Sequence, residues 1–68
     1  MERLKVLLAH WIEHNEEHAK EFMEWAERAK EKGIDPAICE GIARAARQME
    51  GANSSLREAL ERLQGEVR

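Results

Sequence analysis

Tyrosine is absent from this 68-residue chain, which has one cysteine, one proline, one phenylalanine and two tryptophans. Cys39 alone cannot close a disulfide within the chain, so no disulfide framework staples it. One proline and four glycines are too few for a loop-rich scaffold. Long apolar runs are missing too. The longest is Val6-Leu7-Leu8-Ala9, continued beyond His10 by Trp11 and Ile12. It is too short to span a bilayer, and no signal-peptide cleavage pattern follows it. A basic excess is also lacking: 11 Lys and Arg stand against 14 Asp and Glu, a net charge of −3. Nucleic-acid binding requires clustered cations to neutralise phosphates. Binding flat on a membrane calls for a basic polar face, and the first half of this chain is acidic there. The expectation is a cytoplasmic protein with a reduced Cys39 and neither nucleic acid nor membrane as partner.

What the chain does have is two matched helical patterns. The break between them is Lys32-Gly33-Ile34-Asp35-Pro36. Gly33 suits the left-handed position that ends a helix, Asp35 an N-cap, and Pro36 the first helical residue. These signals predict a first helix over about 2–32, a turn at 33–35 and a second helix over about 36–64, in one domain spanning 1–68. The first helix carries an apolar stripe at Leu4, Leu8, Trp11, Asn15, His18, Phe22, Trp25 and Ala29, widened by Leu7, Ile12, Ala19 and Ala26. The second carries Ile38, Ile42, Ala45, Met49, Ala52, Leu56, Leu60, Leu63 and Val67. Both follow the steps of three and four that place residues on one helix face. Gly41, Gly51 and Asn53-Ser54-Ser55 lower helix propensity and allow a kink near 51–55. Gly65 reads as the frayed end. Folding at the turn brings Asn15 opposite Ala52 and Asn53.

The fold class expected is all-α: an antiparallel two-helix hairpin. One hairpin covers each stripe from a single side and leaves Trp11, Phe22 and Trp25 wet. A chain this short also needs a further stabiliser: a metal, a partner or itself. Pairing of two hairpins into a homodimeric four-helix bundle meets that need.

The chemistry-bearing feature is the histidine row, His10-x-x-x-His14-x-x-x-His18, which holds all three histidines of the chain. Residues four apart stack on one side of a helix, so a pair of them can hold one ion. Imidazole suits nickel, cobalt and zinc. A glutamate follows each histidine by three positions, at Glu13, Glu17 and Glu21, and carboxylates can ligate or orient imidazoles. At about 100° per residue His18 lies in the stripe, His14 at its edge and His10 further round. A straight helix cannot aim all three at one ion. His14 and His18 are therefore the expected primary ligands, with His10 and Glu17 or Glu21 auxiliary. No organic cofactor is expected.

A competing reading makes the chain a structural homo-oligomerisation or protein-interaction module. In it Asn15, His18 and Asn53 form a buried polar layer that specifies assembly. A third reading is a proton switch, in which protonation of the histidine row loosens a pairing. Enzyme chemistry has little support. Cys39 lies about 15 Å along the axis from His18, and Ser54 and Ser55 face no histidine in the same register, so no nucleophile–base pair forms.

The segment from Leu8 to Ala19, containing His10-Trp11-Ile12-Glu13-His14-Asn15 and His18, resembles a short uncharacterised helical-hairpin family. That family has an HWIEHNxxHA-type first helix and is seen alone or beside nickel-handling maturation proteins. The resemblance covers nearly the whole chain. Its motif maps onto His10, Trp11, His14, Asn15 and His18 here, and its context implies metal association and a larger metal-handling protein as partner. The second helix departs from the family's Ala/Leu pattern at Gly41, Gly51 and Ser54-Ser55.

Overall fold

The two patterned segments fold as two long helices laid side by side. The computed structural model describes residues 2–66; Val67, expected on the second stripe, lies outside them. Helix α1 is Glu2–Glu31 and helix α2 is Pro36–Glu66. Helix α2 is unbroken across 51–55 and extends past Gly65, two residues beyond the expected end. The helix α1 face that packs on α2 offsets the low propensity of the Gly51–Ser55 run, as tertiary burial does for most helices in water.

Local chemistry sets the turn. Gly33 takes φ +76°, a conformation that costs a side-chain-bearing residue about 1–2 kcal/mol. Its N–H donates to the Lys30 carbonyl at 3.1 Å, and the Ile34 N–H donates to the Ala29 carbonyl at 3.0 Å. These two bonds satisfy carbonyls that the end of α1 would otherwise leave open. Asp35 caps α2: its carboxylate accepts from the Ala37 N–H at 2.9 Å. The Ile38 and Cys39 N–H groups donate to the Asp35 carbonyl at 2.9 and 3.2 Å.

The seam between the helices is narrow and built mostly of small residues. Its buried apolar members are Leu8, Ile12, Ala19, Ala26, Cys39 and Ala46. This shifts the phase expected on both helices. On α1, Ile12, Ala19 and Ala26 sit at the centre, not at the margin, while Trp11 and Trp25 remain 41% and 55% exposed. On α2, Cys39, Ala46 and Asn53 take the inner positions, while Ile38 and Ala52 face outward. Neighbouring positions on each helix are both apolar, so two phases fit the pattern. Alanine at the contact allows close helix approach, which bulky tryptophans would prevent.

One polar layer crosses the seam. Asn53 is 2% exposed. Its amide nitrogen donates to the Ile12 carbonyl at 2.9 Å, and its oxygen accepts from the Asn15 amide at 3.0 Å. This is the register expected from folding at the turn. His18, which the interaction-module reading put in the same layer, is not part of it. Among the described residues no helix is long and apolar enough to cross a membrane.

Candidate metal site

His18 stands on the flank of α1, about a quarter-turn from the seam, with His14 and then His10 each about 40° further round. Because α1 is straight and uninterrupted, residues four apart rise one above the other on it. Successive ring centroids of His10, His14, His18 and Phe22 are 5.7, 4.5 and 5.9 Å apart. The row is tightest in its middle, where the Nε2 atoms of His14 and His18 approach to 3.0 Å. At that distance one ring donates its N–H to the other, or both turn a lone pair toward one cation. His10 stands one helical turn away and is exposed.

Of the glutamates, Glu21 sits nearest a histidine, with Oε1 3.9 Å from His18 Nδ1. That is the ring nitrogen opposite the one facing His14, so Glu21 is placed to orient the imidazole from behind. Glu13 and Glu17 are exposed. No three or more His, Cys, Asp or Glu side chains among the described residues are gathered closely enough to hold a metal ion. One chain thus presents a convergent pair of imidazoles, not a closed ligand set.

The surroundings of the pair are apolar on one side. Trp11 lies beside it, Phe22 stacks below His18, and Arg28 lies 5.0 Å above the centre of the Trp25 ring. The opposite flank of the hairpin carries ion pairs. There Arg57 pairs with Glu16 across the helices at 2.9 Å, and Arg47 pairs with Glu40 along α2. The surface grooves on that flank are lined by Glu16, Lys20, Glu50 and Arg57, or by Met23, Ile34 and Cys39, and contain no histidine. Trp11 and Trp25 lie exposed beside the histidines, as expected of a single hairpin; the continuation of this flank to Leu7 was hidden within the broad stripe of the sequence. Its signal is a position one step from Leu8, which becomes visible once the buried phase is known.

No curated protein and no solved structure matches the chain. A family model described as a domain of unknown function (DUF8180) matches residues 4–63. That span includes the turn, the asparagine layer and the whole histidine row, and the chain belongs to this family, DUF8180.

Proposed function

We propose that this chain is a small cytoplasmic metal-binding accessory protein that holds nickel, cobalt or zinc on its histidine row, within a dimeric four-helix bundle. The observation that carries the reading is the 3.0 Å approach of His14 Nε2 to His18 Nε2. Two nitrogens bound at about 2.1 Å to one ion lie about 3.0 Å apart at a right angle and about 3.4 Å apart at the tetrahedral angle. The pair therefore has the spacing of two adjacent ligands with little rearrangement. Its exposure gives an ion an entry path. His10 and Glu17 or Glu21 act as auxiliary groups. Imidazole binds metal in its neutral form, so binding releases protons and weakens as pH falls. Reversible loading suits delivery to a larger metal-handling protein.

Calorimetric titration of Ni²⁺, Co²⁺ and Zn²⁺ into the wild type and the His14→Ala/His18→Ala variant tests this. Binding tighter than about 100 μM is expected in the wild type and a loss of at least tenfold in the variant. Equal affinity in both proteins refutes the reading. A second reading, a pure interaction module, is favoured by the buried Asn15–Asn53 pair, which fixes register without any metal. It predicts full assembly and unchanged melting in the double-histidine variant, with and without added Ni²⁺.

A further inference from the structure

We propose that a second copy of this chain covers the histidine flank, antiparallel about a twofold axis through the middle of both helices. The His14 and His18 pairs of the two copies then form one four-imidazole metal site. This rests on the metal reading above and completes it, because one chain supplies two convergent ligands and four-coordinate sites need more.

The positions on the flank mirror themselves. Leu7 and Trp25, Trp11 and Phe22, and His14 and His18 are three pairs, each centred at residue 16 or between 16 and 17. When α1 packs antiparallel on α1 of a second copy about that centre, each aromatic meets an apolar residue and each histidine a histidine. Such self-complementarity is what a twofold interface requires. Helix α2 carries a second mirror on the same side. Ala45, Ala52 and Ala59 lie seven apart and are centred on Ala52. The Asn15–Asn53 hydrogen bond puts residue 16 level with residue 52. Both mirrors thus share one axis, and the alanines let the two α2 helices approach closely there. At the rim, Glu21 falls beside His10 of the second copy.

The area agrees. The hairpin exposes 5408 Å², about 1,000 Å² more than expected for a compact monomer of its mass. Its broad side measures 54 by 14 Å between Cα extremes, near the roughly 800 Å² per partner that a stable pair buries.

The test uses the full chain. Sedimentation equilibrium is expected to give twice the 7.9 kDa chain mass, and Ni²⁺ titration one ion per two chains. In the Ala52→Cys/Cys39→Ala protein, mild oxidation is expected to link position 52 to itself in most of the sample. Ala52 is exposed, so the substitution leaves the hairpin intact. A monomer that binds one ion per chain overturns the pairing and leaves the metal reading standing. A dimer that does not link through position 52 overturns the axis. A dimer that links there but takes up no Ni²⁺ overturns the metal reading and the four-imidazole site with it.

Discussion

Asn53 has both ends of its amide engaged, one by Ile12 and one by Asn15, in a seam whose other buried side chains are apolar. Its removal leaves the Asn15 amide without its partner and opens a gap at the centre of the hairpin. Asn53→Ala is expected to cost about 2 kcal/mol, read as a lower urea midpoint at unchanged slope. Arg57→Ala removes an exposed ion pair with Glu16 and is expected to cost less than about 0.5 kcal/mol. Equal effects in the two variants would remove the asparagine layer from its structural role. The pairing of Asn15 with Asn53 was legible in the sequence, because the turn fixes which residues meet. That His18 would leave the layer was not legible. A residue one position from Ala19 can point into the seam or beside it, and only the packing of alanines against α2 decides which.

At the scale of the element, the turn was readable almost residue by residue. Gly33, Asp35 and Pro36 act through their own backbone and nearest neighbours, so no tertiary knowledge is needed to place them. Open space surrounds Gly33, yet its φ is +76°. Gly33→Ala is therefore expected to lower stability by about 1–2 kcal/mol through backbone strain alone. Gly51 makes the opposite case. It lies inside α2, at an ordinary helical conformation, and a Cβ added there meets nothing within 4 Å. Gly51→Ala is expected to raise the thermal midpoint, by the equivalent of about 0.5–1 kcal/mol. A fall instead would mean that something approaches this position closely. The helix phase, unlike the turn, was blurred in the sequence. Tryptophan and isoleucine score alike in a stripe, but Ile12 fits the narrow seam, and Trp11, its neighbour, does not.

As a whole, the molecule is a rod. Its radius of gyration is 15.6 Å, against about 11 Å for a compact chain of this length. A rod of two helices has little interior, and the two tryptophans that would enlarge it lie on its outside. If a second copy supplies the missing half of the core, the melting temperature rises with protein concentration. Circular dichroism between about 5 and 500 μM checks this, and a midpoint independent of concentration speaks against pairing. Added Ni²⁺ is expected to raise the midpoint further in the wild type and not in His14→Ala/His18→Ala. One end of the rod is closed by the capped turn. Cys39 is buried near the closed end, its Sγ donating to the Ile34 carbonyl at 3.7 Å. Cys39 is only 8% exposed, at the groove it lines with Met23 and Ile34, so a thiol reagent reacts rapidly there only when the turn end parts. The rate at which Cys39 is alkylated therefore times the breathing of the closed end, separately from whatever happens at the histidines.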